Sequence, residues 1–168
     1  MFEVFRQRVE RKSEIIVRRV RVDRSPSPQQ VLDSLEDYEQ AKCGKDDVAT
    51  MPRGEGEEVD VVFFSAHRQL DDDELEREYE RQGIVPDPYA QAQVNADDHG
   101  FVVSHSNATH WLGPDGKWRC LLTSTTIPSR FNWVTVKKSE DDKSSKYGDF
   151  WWYGGVRKVN PGQVHLGQ

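Results

Sequence analysis

The stretch that decides the fold is the last third of the chain, which reads THWL at 109–112, KWRCLL at 117–122, FNWVTV at 131–136 and FWWY at 150–153. These four strand-like segments carry all five tryptophans, and the turn sequence GPDG at 113–116 separates the first two. Aromatic side chains bury a large area per residue. The segments therefore predict an antiparallel meander that supplies much of the core, but they name no reaction.

The composition indicates one domain, or one domain with a small appendage. The chain has 168 residues, of which 35% are hydrophobic and 31% charged, so the expected core is modest. No apolar run approaches the roughly 20 residues that span a bilayer, and the N-terminus has no secretory pattern. We therefore expect a cytoplasmic protein without a membrane segment, in which Cys43 and Cys120 are free thiols.

Charge is distributed unevenly along the chain. Residues 1–24 have a net charge of +4, whereas the whole chain has −6, so the remaining residues carry −10. Segments 2–9 and 14–23 are predicted to pair as a basic hairpin. Its candidate nucleic-acid contacts are Arg6, Arg8, Arg19 and Arg21. Because the rest of the chain is acidic, we prefer pairing of these arginines with Glu3, Glu10 and Glu14, and direct nucleic-acid binding is not expected.

Capping signals place the first helix. Ser27 is a predicted N-cap with Gln30 as its capping-box partner, and an apolar stripe extends the prediction over 28–42. Gly44 occupies the position of a C-terminal cap. Residues 44–58 are polar and rich in glycine, which predicts a mobile linker.

Two more helices follow an apolar strand at 59–64. The second begins after the N-cap Asp71, uses Glu74 as capping-box partner and ends at Gly83. The third is short, begins after Asp87 and ends near residue 95.

Together the elements predict an α+β protein. An antiparallel sheet of about five to seven strands packs against two longer helices and one short helix. The predicted organisation is a basic hairpin plus helix (1–43), a linker (44–58), an aromatic-rich α+β module (59–158) and a tail (159–168).

Three histidines, His99, His105 and His110, lie close together in sequence and are the weak candidates for a metal site. Their spacing matches no standard zinc site, so we expect neither a metal nor another cofactor. Ser104 precedes His105, but neighbours in sequence rarely align as nucleophile and base, and we do not expect an enzyme.

The doublet Trp151-Trp152 indicates a protein contact. Adjacent strand residues point to opposite faces, so one indole is expected in the core and the other at an interface with Tyr153. An acidic patch at the start of the second helix is the other candidate surface. The candidate partner-binding residues are Trp151, Trp152, Tyr153, Asp71, Asp72, Asp73 and Glu74.

Six short motifs follow one another within residues 63–158. They are LDDDELEREYE at 70–80, DPYA at 87–90, VN at 94–95, THW at 109–111, DGKWRC at 115–120 and WWYGGVRK at 151–158. Their order and spacing resemble the C-terminal module of small, uncharacterised proteins of tailed bacteriophages that infect pseudomonads and their relatives. The resemblance implies a phage or prophage origin and carries over no catalytic residues.

In that setting we expect an accessory protein that binds and inhibits a host protein complex in the bacterial cytoplasm. An acidic surface that occupies a nucleic-acid channel as a phosphate mimic fits an anti-defence role, including anti-CRISPR action. A minor virion or assembly protein is the first alternative, and a small metal-dependent enzyme is the second.

Overall fold

The computed structural model describes residues 14–126, 131–139 and 148–158. Within them the chain has the predicted α+β fold, with an eight-stranded sheet and five helices. The strands are β1 (Glu14–Arg21), β2 (Tyr38–Gln40), β3 (Glu58–Ser65), β4 (Ile84–Val85), β5 (Asn107–Leu112), β6 (Trp118–Thr126), β7 (Phe131–Lys138) and β8 (Trp152–Arg157). The helices are α1 (Pro28–Asp33), α2 (Lys45–Ala49), α3 (Asp72–Gln82), α4 (Pro88–Asp97) and α5 (Phe101–Ser104).

The sheet is mixed, whereas the sequence predicts an antiparallel one. Its order is β1-β3-β8-β5-β6-β7-β2, and β4 pairs with β8 beside this path. The β5–β6–β7 meander is antiparallel as expected, but β8 runs parallel to β5 and β2 runs parallel to β7. The last strand therefore does not extend the meander but lies between β3 and β5, where it joins the two halves of the sheet.

Alternation along the central strands divides the core between the two faces of the sheet. In β3, Val61 and Phe63 join a cluster with residues of α1, α2, α4 and α5. Val62 and Phe64 point to the other face, where they pack with Leu75 of α3. The sheet is therefore covered on both faces, with α3 as the helix on the second face.

The predicted first helix is too long. Its capping box between Ser27 and Gln30 is present, but α1 ends at Asp33 and the chain then forms β2. Leu35 and Tyr38 are buried, as the apolar stripe requires, yet Tyr38 lies in the strand beside β7. Apolar residues three apart fit a helix, and here pairing with β7 outweighs that local preference.

Residues 44–58 do not form the predicted linker. They contain α2, for which Gly44 is the N-cap rather than a C-terminal cap of α1. Val48 and Met51 are 1% and 3% exposed and belong to the same cluster as Val61. The segments before and after this stretch therefore share one core.

The predictions for α3 are confirmed, and α4 is longer than predicted. Asp71 and Glu74 form the capping box of α3, and Gly83 ends it with a φ of +68°. Asp87 caps α4, which has 10 residues against 11 in α3, so these two are the longer helices. None of the helices in the described ranges is long and apolar enough to cross a membrane.

Candidate functional site

The two indoles of the tryptophan doublet pack against the two clusters of the core. They point to opposite faces as predicted: Trp151 joins the cluster under α3, and Trp152 packs against the opposite cluster. Trp151 and Tyr153 are 8% and 1% exposed, and Trp152 is half-buried beside His105. Trp151 and Tyr153 are therefore core residues, whereas Trp152 keeps part of its surface exposed, so a partner contact through Trp152 stays a prediction.

The acids at the start of α3 are mostly engaged within the protein. Asp71 and Glu74 form the capping box, and Glu74 also accepts a hydrogen bond from Arg68 at 2.6 Å, which lowers the pKa of Glu74. Asp72 is 4% exposed, and its Oδ2 accepts from the Ser139 hydroxyl at 2.6 Å. Of the four predicted acids, Asp73 is the one with an exposed side chain.

The structure does not bring the three candidate histidines together. His99 lies 3.2 Å from Asp37, and His105 stacks on Phe101, whereas His110 is buried under α3. In the part of the chain that is described, no three His, Cys, Asp or Glu side chains gather in a metal-binding group. These histidines therefore do not form a common metal site.

The Ser104-His105 pair also lacks a catalytic arrangement. The Ser104 hydroxyl lies 2.8 Å from Nδ1 of His105. Across the described ranges, however, no carboxylate hydrogen-bonds this imidazole, so the group that orients the base in nucleophilic catalysis is missing there.

The basic strand β1 is matched by acids of its neighbour β3. Arg21 donates to Glu58 at 2.9 Å, and Arg19 lies 3.6 Å from Glu58 and 3.5 Å from Asp60. Within the described residues, the acids that pair with Arg19 and Arg21 therefore lie in β3 or just before it, and not in the predicted hairpin. Arg6 and Arg8 lie outside the described residues.

A cleft of about 380 Å³ opens between α3 and the β5–β6 hairpin. Its apolar wall includes Val85, Leu112 and Trp118. Leu112 is 56% exposed and Val85 is 37% exposed, so apolar surface faces solvent here. Glu76 and Glu80 of α3 line the same cleft. The cleft therefore has an apolar wall formed by the sheet and, opposite it, two carboxylates on helix α3.

A stack of three rings supports the cleft. The His110 ring lies between Tyr79, at 4.8 Å, and Trp118, at 4.3 Å with an interplanar angle of 11°. Burial lowers the pKa of His110 to about 3, so the imidazole is neutral at physiological pH. The Tyr79 hydroxyl donates to the carbonyl of Gly154 at 2.5 Å, which anchors the stack to β8. Trp118 is therefore held in one orientation at the cleft.

Three exposed carboxylates of α3 form what we term the acidic strip: Asp73, Glu76 and Glu80. Their spacing of three and four residues places them on one side of the helix. Within the described ranges no cation pairs with them. By contrast, Glu74 and Glu78 on the other side of the helix pair with Arg68 and Arg81.

Sequence reasoning identified one residue of the strip, Asp73, and missed Glu76 and Glu80. The helical period could have found them. Counting three and then four residues on from Asp73 gives Glu76 and Glu80, which places all three on one side of a helix that the sequence predicts correctly. No local signal placed Leu112 and Trp118 beside that helix, since their position depends on the return of β8 between β3 and β5.

The chain was compared with protein-family models, curated proteins and solved structures, and none of them matches it. The site combines an exposed apolar cleft, a rigid indole and carboxylates that no cation of the described residues pairs with.

Proposed function

We propose that the protein is a non-enzymatic, phage-encoded accessory protein that binds a basic surface of a host protein complex and blocks it. It acts in the cytoplasm of the infected bacterium, where a complex that binds nucleic acid offers such a surface. The phage setting comes from the sequence resemblance of residues 63–158. The binding mode comes from the acidic strip.

One observation carries the proposal: the acidic strip is exposed and lacks a cation among the described residues. Several other carboxylates are matched internally, as Asp87 is by Arg24, Asp115 by Arg119 and Glu58 by Arg21. Like charges three and four residues apart on a helix destabilise it slightly, and the exposed Arg77, four residues after Asp73 and three before Glu80, offsets only part of this repulsion. A partner cation that neutralises the strip relieves this repulsion and gains charge-assisted hydrogen bonds.

The strip also suits competition with nucleic acid. Its carboxylates lie on a capped helix, so the backbone positions that carry them are fixed before binding and little backbone entropy is lost. The total charge of −6 attracts a basic surface over several ångströms and repels nucleic acid. Such steering raises the association rate and weakens as salt screens it.

The test is capture of a partner from a pseudomonad lysate, followed by kinetics on the purified partner. The variant Asp73→Asn/Glu76→Gln/Glu80→Gln removes three charges at nearly constant shape. We expect it to slow association by about tenfold and to flatten the dependence of the rate on salt. The captured protein is expected to release its nucleic acid when the wild-type chain binds.

A matched control removes the same charge elsewhere. Glu36→Gln/Glu39→Gln/Asp97→Asn neutralises three exposed acids near the α1–β2 turn and the end of α4. We expect this variant to bind nearly as the wild type does. Equal effects of the two triple variants, or binding indifferent to salt, contradict the proposal. Capture of a virion structural protein supports the assembly role instead.

A further inference from the structure

We propose that the cleft between α3 and the β5–β6 hairpin is an anchor site for an arginine in a basic peptide segment of the partner protein. This inference rests on the proposed function and assigns the residue that the partner inserts. The aliphatic stem of the arginine packs on Leu112 and Val85, and its guanidinium plane stacks on Trp118. Its guanidinium group faces the carboxylates of Glu76 and Glu80.

The cleft has the size and surface of a side-chain site. Its volume of about 380 Å³ falls in the lower part of the range for small-ligand pockets, about 300–1,000 Å³. Leu112 exposes 56% of its surface and Val85 exposes 37% beside it. Covering this apolar surface is favourable, and an arginine stem provides methylene groups for that purpose.

Trp118 is prepared for a planar cation. Its indole is half-buried, stacks on His110 at 4.3 Å and also borders the cleft. Tryptophan is the most favourable ring for cation–π contacts, and guanidinium stacks on it better than ammonium does. The neutral His110 beneath the indole adds no repelling charge. Since the stack fixes the indole in advance, binding loses little side-chain entropy at this position.

The charges that line the cleft favour an occupant with a positive charge. Glu76 and Glu80 line the cleft, and so does Lys158 at the end of β8. These three groups leave one net negative charge, to which the exposed Asp73 adds from the same side of α3. A guanidinium group matches two carboxylates with its fork of donors. Lys158 opposes the cation and therefore provides a variant with the opposite expected effect.

The test uses a defined probe, the peptide Gly-Leu-Arg-Leu-Gly with blocked termini, titrated into the full-length protein. Its analogue with citrulline in place of arginine keeps the shape and removes the charge. We expect the arginine peptide to shift the indole N–H resonance of Trp118, while Trp133, which does not line the cleft, serves as internal reference. The citrulline peptide is expected to bind roughly five- to tenfold more weakly.

Protein variants then locate the contacts. Glu76→Gln/Glu80→Gln is expected to weaken the arginine peptide roughly fivefold, and Lys158→Gln to tighten it about twofold. Leu112→Ser should weaken both peptides, because it removes exposed apolar surface without touching the core. Each variant is compared with the wild type by its amide spectrum and melting temperature, so that loss of folding is not read as loss of binding.

Three outcomes overturn the inference. The first is equal binding of the two peptides, and the second is no change in the Trp118 resonance when peptide is added. The third is a Trp118 resonance that moves with protein concentration alone, which would assign the cleft to a second copy of the chain. If the cleft fails but the acidic strip still governs capture of the host partner, the proposed function stands. If the peptide binds in the cleft but the strip variant captures the partner normally, the proposed function falls and the cleft remains.

Discussion

Asn95 of α4 and Asn107 of β5 exchange two side-chain hydrogen bonds, with Nδ2 of Asn95 2.8 Å from Oδ1 of Asn107 and Nδ2 of Asn107 3.0 Å from Oδ1 of Asn95. The same Oδ1 of Asn107 accepts from Gln91 at 2.9 Å and from Thr123 at 2.7 Å. All four side chains are fully buried. This network ties α4 to β5 and β6, because a shift of register would break these buried hydrogen bonds.

We expect Asn107→Leu to lower the free energy of unfolding by about 3 kcal/mol or more. The change leaves Oδ1 of Asn95 without its donor and removes one of the two acceptors of Asn95 Nδ2, Gln91 Nε2 and Thr123 Oγ1. A buried polar group left without a partner costs about 1–3 kcal/mol, and each lost hydrogen bond adds about 0.5–1.5 kcal/mol. Urea unfolding followed by circular dichroism measures the loss. Gln93→Ala, at a side chain of the same helix that bonds Asp97 at the surface, is the control and should change stability by less than about 0.5 kcal/mol. A loss no greater than that of the control contradicts the structural role of the network.

Elements of the fold that depend on residues close together in sequence were predicted, and those that depend on distant residues were not. The capping boxes at Ser27 and Asp71 each depend on residues three apart, and both were predicted from sequence. Tyr38 was misassigned to a helix, because its burial depends on β7, almost a hundred residues later. The position of β8 was also missed, since strand order is set by contacts between distant segments rather than by local patterns.

The residues of the candidate site also fall into those that a local sequence signal predicts and those that depend on contacts between distant segments. Asp73 was found because the start of a helix is visible in sequence. The sequence shows that the indoles of Trp151 and Trp152 point apart, but not which of the two is the more deeply buried, because that depends on the elements that cover each face of the sheet. The apolar wall of the cleft joins Val85, Leu112 and Trp118 from three separate strands, and no spacing rule connects them.

The tryptophan doublet gives a prediction about stability. Trp151→Ala is expected to lower the free energy of unfolding by about 3–5 kcal/mol, because a buried ring leaves a cavity under α3. Trp152→Ala should also be clearly destabilising, but less so, because that ring is only half-buried. Phe150, which is 58% exposed, provides a control whose change to Ala should have little effect. Thermal melts of the three variants decide the matter. Normal stability of either tryptophan variant would show that its ring is not part of the core.

Arg24 and Asp87 form a buried ion pair that closes the 53–56 loop on α4. The guanidinium Nη1 lies 2.6 Å from Oδ1 of Asp87, whose side chain is 0% exposed, and the same guanidinium donates to three loop carbonyls. Arg24→Ala leaves that carboxylate without its cation and is expected to cost about 3–5 kcal/mol. The same change at Arg21, in an exposed pair, should have little effect on stability.

A second substitution separates the charge from the packing. Asp87→Asn retains a side-chain oxygen that can cap α4 and removes the unpaired charge, so Arg24→Ala/Asp87→Asn should be more stable than Arg24→Ala alone. Chemical denaturation of the wild type, the two single variants and the double variant completes a double-mutant cycle. If the two effects simply add, the ion pair contributes nothing beyond its separate parts.

The buried His110 predicts how stability depends on pH. In the folded protein its pKa is lowered to about 3 by burial, whereas the unfolded chain has the ordinary value near 6.5. Below about pH 6.5 the unfolded state therefore binds a proton that the folded state does not. Stability from this group is complete above that pH and is lost as pH falls towards 3, by about 1.4 kcal/mol per pH unit.

His110→Phe keeps a ring between Tyr79 and Trp118 and removes the titrating nitrogen. Free energies of unfolding at about pH 7.5, 5.5 and 4.5 should show the wild type losing stability relative to this variant as the pH falls, while the other acid-sensitive groups affect both proteins alike. A difference between the two proteins that stays constant over this range would mean that the imidazole is solvated and protonated in the folded state, and the stack that holds Trp118 at the cleft would then have to carry a charge.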